Sequence, residues 1–331
     1  MTTDQDIDLA VNRAVLQARN VAVTFPARRG RGQARAVDDV NLGVGAGEIL
    51  ALIGESGCGK STLARVLVGL IRPTSGTVDY GGRPLGYRGA ELKAYRRQVQ
   101  LVLQDPAAAL NPRQNVFDAV AEGLRLHGLR DQLTARVHAA MEQAGLRPVE
   151  NYLARYPHEL SGGQQQRVVI AGALALGPSV IVADEPVSSL DASVRGEILK
   201  LFLDLRDRLG LSAVVVSHDL GLAWNVADRV AVMYLGRIVE IGTVEEVLIT
   251  PQHPYTKALI SAVGSTGERP HPLLMGEPPD PTRIPSGCRF HPRCPLRAAS
   301  GERGRVCDTI PLPVLAADAG QRQVACHLAE G

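Results

Sequence analysis

The chain has 331 residues, 45% of them hydrophobic, and a formal net charge of +2. That balance suits one large or two ordinary globular domains with a sizeable core, and it excludes a chain-wide nucleic-acid binder or a partner chosen for its acidity. The longest apolar run, Val168 to Ala183, is interrupted by Gly177-Pro178 and is too short to cross a bilayer, and the polar, acidic start lacks the basic-then-apolar order of a secretory signal.

In chain order, residues 1–14 read as a frayed, flexible end. Val15 to Phe25 alternates as a strand. A loop holding Arg28, Arg29, Arg31 and Arg35 follows, read as a solvated glycine–arginine hairpin loop rather than a nucleic-acid contact. Val37 to Val44 resumes a strand, and Glu48 to Ile53 leads into the stretch that organises the chain. Thr77 to Tyr80 and Val99 to Leu103 read as strands, with a helix between them over Glu91 to Gln98. Residues 107–160 change character: Val116 to His127, Gln132 to Ala144 and Tyr152 to Tyr156 read as helices of an inserted subdomain.

A helix to Leu176 and an apolar strand, Ser179 to Ala183, come next. They are followed by a helix over Ser193 to Leu209, a strand over Ala213 to Ser217 and a helix over Leu220 to Ala227. A strand pair surrounds Gly236, and Val244 to Leu248 is a short helix. Strand–helix alternation with continuously apolar strands predicts a parallel sheet covered on both faces, an α/β fold. From about Ser265 onward Pro, Gly and Arg dominate and no periodicity survives, so residues 265–331 are expected to be a loop-rich appendage.

The organising stretch is Gly54, Glu55, Ser56, Gly57, Cys58, Gly59, Lys60, Ser61 and Thr62, with the spacing G-x-x-x-x-G-K-S between an apolar run and a helical pattern. Its glycines let backbone N–H groups curl around a phosphate, Lys60 reaches the terminal phosphates, and Ser61 is placed to ligate Mg²⁺. The helix N-terminus adds its own attraction for anions. Cys58 reads as a small residue that fits the loop.

Other residues converge on the same chemistry. Asp184 ends an apolar strand, the place for a carboxylate that holds Mg²⁺, and Glu185 next to it can polarise a water for attack on a γ-phosphate. His218 and Gln104 end two more apolar strands, whose carboxyl ends should face one crevice. Ser161, Gly162, Gly163 and Gln164 open another helix, a second phosphate-attracting terminus. One chain rarely needs two such termini for one nucleotide; a sandwich dimer, in which each chain's Ser161-Gly-Gly completes its partner's site, resolves the excess.

With these motifs in order, the chain resembles the ATP-binding subunit of an ABC transporter over residues 15–245. The resemblance implies a P-loop NTPase cassette at 15–264, with its helical subdomain at about 105–160 and the cysteine-containing extension at 265–331. It also implies that Phe25 stacks on adenine, Asp191 lies at the dimer seam, Glu185 is the catalytic carboxylate, and Gln104 and His218 serve the catalytic step, with Gln104 also near Mg²⁺.

Gln104-Asp-Pro-Ala-Ala-Ala-Leu-Asn-Pro-Arg113, Pro251-Gln-His-Pro-Tyr-Thr-Lys-Ala-Leu259 and Gly287-Cys-Arg-Phe-His-Pro-Arg-Cys-Pro295 narrow the resemblance to oligopeptide and dipeptide importers. Ala109 stands where Ser is common. Such a protein would work at the cytoplasmic face of the cell membrane, peripherally. Its partners would be two transmembrane permeases, touched through 105–118, a second ATPase that is a sister chain, and indirectly an external substrate-binding protein. No nucleic acid is involved. The same importer class with nickel, glutathione or another small solute as cargo stays open, as does a soluble non-transport ABC ATPase.

Cys288, Cys294, Cys307 and Cys326 crowd into the tail with the spacing C-x5-C-x12-C-x18-C, which is not a zinc-finger pattern. Four thiolates suit Zn²⁺ or an iron–sulfur cluster. Resemblance to the importer tails implies a 4Fe–4S cluster, with Zn²⁺ or unligated thiols as the other readings.

Overall fold

The computed structural model describes residues 14–26, 32–263, 276–316 and 322–329. The expected flexible start, up to residue 13, lies outside the described residues, as do Arg28, Arg29 and Arg31. Eleven strands are described: β1 Leu16–Pro26, β2 Gln33–Val44, β3 Ile49–Ile53, β4 Ser75–Tyr80, β5 Arg83–Pro84, β6 Val99–Val102, β7 Val180–Asp184, β8 Ser212–Ser217, β9 Arg229–Tyr234, β10 Arg237–Thr243 and β11 Gln323–Val324. The chain divides into two compact units. One takes in Leu50–Pro84, the segment before Ala46 and the segment from Ser217 onward; the other holds Ala46–Ile49 and Leu85–Val216.

In the first unit, β1 pairs antiparallel with both β2 and β4, and β4 with β5. Leu16 sits opposite Val44 on one side and Tyr80 on the other, and it is fully buried with Ala18 and Val21. This antiparallel sheet is additional to the expected parallel pairing, which β3 makes with β9 and β7 makes with β6 and β8. The alternation along β1 and β2 is that of strands with one wetted face, and such strands pair as hairpins rather than as crossovers. β3, buried at all five positions, runs parallel to β9. β9 and β10 form the expected hairpin around Gly236.

The loop-rich tail is anchored on the strands of this unit. Val324 of β11 pairs with Glu240 of β10, and short helices run at Pro295–Ala299 and Val306–Thr309. Glu240 is fully buried and accepts from the backbone N–H of Gln252 at 2.9 Å and His253 at 3.0 Å, and from Arg322 at 2.7 Å. Arg289 is buried against Asp38 and the Leu235 carbonyl. Buried charges hold only when paired and hydrogen-bonded, so these contacts fix the tail in one place.

In the second unit, β6, β7 and β8 form a parallel set, with Val102 opposite Ala183 and Ala183 opposite Val215. Helices Val116–Leu126 and Leu133–Gln143 pack on helix Gly162–Leu174, and Val120, Leu124, Val137, Met141 and Ile170 of the three are buried. The helix expected over Tyr152 to Tyr156 is absent. A one-turn helix at Val149–Asn151 ends at Tyr152, and Tyr156 is extended because Pro157 follows it. No helix among the described residues is long and apolar enough to cross a membrane.

Candidate functional site

β3 delivers the chain into the glycine loop of the first unit. Gly54 has φ +152° and Gly59 φ +112°; a Cβ on Gly54 would run into the Met233 carbonyl and one on Gly59 into the Ala36 carbonyl. Only glycine lets the loop lie that close to β2 and β9. Helix Lys60–Leu67 starts directly at Gly59 without a side-chain cap, and the first turn of a helix is where backbone N–H groups attract anions.

Lys60 is buried and folds back, its ammonium donating to the Gly54 carbonyl at 2.8 Å and the Glu55 carbonyl at 3.0 Å. Cys58 packs beneath it with Sγ 3.9 Å from Nζ; burial pushes its thiol up, Lys60 opposing, so it sits as a neutral thiol. Ser61 and Thr62 occupy the first helical turn. Phe25 stands near the end of β1 with its ring 40% exposed, available for a flat partner.

Several residues that sequence reasoning did not assign hold this loop. Glu55 N–H donates to the Tyr255 hydroxyl at 2.9 Å, and the Glu55 carboxylate is gripped by Arg293. Tyr255, Tyr234 and Phe290 pack tilted or edge-on against one another at centroid distances of 4.5 to 5.5 Å. Tyr255 and Arg293 fall within two of the three segments that carry the importer resemblance, Pro251–Leu259 and Gly287–Pro295, and that is the signal available in sequence for them.

In the second unit, Gln104 and Glu185 emerge from the carboxyl ends of β6 and β7, and Gln104 Nε2 donates to Glu185 Oε2 at 3.0 Å. Asp184 is buried at the end of β7. Glu185 has φ +49°, uncommon for a residue with a side chain, held by its N–H to the Val216 carbonyl at 3.0 Å and by Ser188 Oγ donating to its carbonyl.

Ser161 and Gln164 form a capping box. Ser161 Oγ accepts from Gln164 N–H, and Gln164 Oε1 accepts from Ser161 N–H at 3.0 Å. Gly162 and Gly163 open the helix between them. Asp191 caps helix Ala192–Leu209; the Val194 N–H and the Ser193 hydroxyl hold its carboxyl below the usual range. His218, in the first unit, is exposed just after β8.

Cys288, Cys294 and Cys307 are buried and Cys326 is half-buried. Burial pushes the Cys288 thiol up to about 12 and Cys307 to about 11, and the other cysteines add to both shifts, so the four thiols share a neighbourhood. Cys294 Sγ accepts from Arg297 N–H and Cys326 Sγ from Leu328 N–H, each at 3.4 Å. Among the described residues, no three His, Cys, Asp or Glu stand together as a donor set for a metal ion. The donor type fits soft-metal or iron–sulfur chemistry, while the positions of the sulfur atoms do not form a closed ligand shell.

Two family models match the chain: ABC transporter over residues 37–188, and the C-terminal region of oligopeptide/dipeptide transporters over residues 239–300. The di/tripeptide transport ATP-binding protein DppF of Pseudomonas aeruginosa is 43% identical over 96% of this chain and 98% of its own length. The oligopeptide transport ATP-binding protein OppF of Escherichia coli is 46% identical over 79% of this chain and 80% of its own. A dimeric structure of the ATP-binding cassette MJ0796 with ADP and Pi superposes with a TM-score of 0.62 at 30% identity, covering 69% of this chain and 98% of that one. The fold is therefore that of an ABC ATP-binding cassette. The chain belongs to the ABC transporter ATP-binding proteins, in their oligopeptide/dipeptide branch.

Proposed function

We propose that this chain binds and hydrolyses ATP to power a peptide-class ABC importer. What supports the reading is one chain carrying both a glycine-turned phosphate loop on a buried strand and the 239–300 region of oligopeptide/dipeptide transporters. Lys60 leaves the Gly54 and Glu55 carbonyls and turns to the terminal phosphates, while N–H groups of the first turn bind phosphate oxygens. Ser61 and Asp184, with Gln104 near, are the residues to hold Mg²⁺, which would neutralise charge on the phosphates. Glu185 orients and deprotonates the attacking water, with Gln104 holding its carboxylate. His218 serves the same step, and Phe25 stacks on adenine.

The partner reading is a sandwich dimer in which Ser161, Gly162, Gly163 and Gln164 of one chain close over the nucleotide of another, with Asp191 at the seam. Two permeases would receive the motion through 105–118, and the chain would sit peripherally at the cytoplasmic face of the membrane. An external binding protein would supply the peptide. For the tail, the finer reading is a 4Fe–4S cluster on Cys288, Cys294, Cys307 and Cys326 acting as a structural clip. Iron and sulfide content of protein purified without oxygen tests it, and their absence would remove it.

The test of the main reading is a pull-down from gently solubilised membranes with tagged Glu185→Gln and ATP, read by mass spectrometry. Two permeases and a second ATPase are expected. Ribosomal or DNA-repair proteins without a membrane partner would overturn the transport reading.

A further inference from the structure

Glu55 places a carboxylate in a loop that has to hold a polyanion. At close range, two like charges in a partly desolvated site repel strongly. Here the charge is met by Arg293, whose Nη1 donates to Oε2 at 2.8 Å and Nη2 to Oε1 at 3.0 Å. The Arg293 side chain is 6% exposed and that of Glu55 19%. A two-pronged guanidinium–carboxylate pair fixes direction as well as charge.

Arg293 is itself held. Nη2 donates to the Gly276 carbonyl at 2.8 Å, and the guanidinium lies 5.9 Å from the centre of the Tyr234 ring. Its backbone closes the one-turn helix His291–Arg293 by donating to the Phe290 carbonyl at 2.9 Å. Burial would pull its proton affinity down, but the Glu55 hydrogen bonds and Tyr234 more than reverse this, so it stays charged. Tyr255 holds the Glu55 N–H and Lys60 the Glu55 carbonyl. The Cys58 N–H also donates to that carbonyl at 3.3 Å, so every polar group of Glu55 has a partner, and two of the four partners, Tyr255 and Arg293, lie beyond residue 250.

The geometry points to Arg293 as a positioning residue for nucleotide binding, cancelling the Glu55 charge and pinning the first turn of the phosphate loop, so that the C-terminal extension sets the loop's affinity for nucleotide. This rests on the reading of the loop as the ATP site. The competing role is a clamp that only fastens the tail, and the two roles differ in what removing the carboxylate does.

The full chain is assayed for binding of a fluorescent ATP analogue and for ATP hydrolysis as wild type, Arg293→Gln, Glu55→Gln and the double variant, with thermal midpoints recorded. Arg293→Gln leaves Glu55 unneutralised and is expected to raise Kd and KM for ATP roughly tenfold, with kcat within about twofold. Added salt should shrink that defect by screening it. The double variant should bind ATP as Glu55→Gln does, without the further loss that Arg293→Gln causes in wild type, because no charge is left to repel the phosphates.

Arg293→Lys keeps the charge without the fork; a KM between wild type and Arg293→Gln is expected, and it carries the test if Arg293→Gln does not fold. A double variant as impaired as Arg293→Gln, or lower thermal midpoints with unmoved KM, would overturn the proposal in favour of the clamp. Wild-type protein that binds no ATP would instead overturn the ATP-site reading itself.

Discussion

Gln104 Nε2 donates to Glu185 Oε2 at 3.0 Å across the carboxyl ends of two parallel strands. The register explains the meeting: Val102 lies opposite Ala183, and each side chain stands two residues further along its strand. Ligands of open α/β sheets bind at this end of the strands. Glu185→Gln preserves an oxygen that can accept from Gln104, so the geometry survives while the basicity is lost. The expected outcome is ATP affinity close to wild type with kcat lowered by about 10²- to 10⁴-fold. Parallel titration with a fluorescent ATP analogue and a phosphate-release assay would check it, and unchanged hydrolysis would take Glu185 out of its role.

Lys60 is expected to behave oppositely. Its ammonium is parked on the Gly54 and Glu55 carbonyls and has no other assigned task than to move onto phosphate. Hydrogen bonds to a charged group contribute about 1.5–3 kcal/mol, so Lys60→Ala should weaken ATP binding by about 10- to 100-fold. Equilibrium titration of the variant decides the matter; wild-type affinity would count against the phosphate-loop assignment.

These two groups were legible in the sequence because their geometry is local. A G-x-x-x-x-G-K-S run states its own turn and helix start, and an acidic pair at the end of an apolar strand states which end of the sheet it occupies. Ser161 and Gln164 were half legible. They read as a phosphate-attracting terminus, but a hydroxyl followed three residues later by Gln is also a capping box, and that is what they form. The grip of Arg293 on Glu55 joins residues 238 positions apart, and no periodicity reports such a pair. β11 has only two residues, too few to show alternation, so the tail read as loop although it completes a sheet edge.

Tyr255 gives a stability test of that tail contact. Its ring is fully buried against Tyr234 and Phe290, and its hydroxyl accepts the Glu55 N–H. Tyr255→Phe keeps the ring packing and removes only the acceptor. Leaving a part-buried N–H without a partner costs at most about 1–3 kcal/mol, and urea unfolding should show a loss within that bound. An unchanged midpoint would mean that water replaces the hydroxyl without loss.

The pH dependence should carry the mark of His253. It is 1% exposed, and its Nδ1 accepts the Tyr255 N–H at 3.0 Å, which requires that nitrogen to be unprotonated. Burial, with a smaller push from Lys257, lowers its pKa from 6.5 to about 3. The unfolded chain therefore binds a proton at this side chain between those values while the folded chain does not, so stability rises with pH in that window. In the acid direction, the contribution of neutral His253 is complete above about 6.5 and is lost as pH falls toward about 3, with a slope of up to about 1.4 kcal/mol per pH unit. His253→Asn offers an uncharged acceptor to the same N–H. Urea unfolding at pH 7 and pH 5 should therefore show a larger loss for wild type than for the variant, about 2 kcal/mol of difference at most. Equal losses in the two proteins would mean that His253 takes up its proton in the folded state as readily as in the unfolded one, and that acid acts through the carboxylates alone.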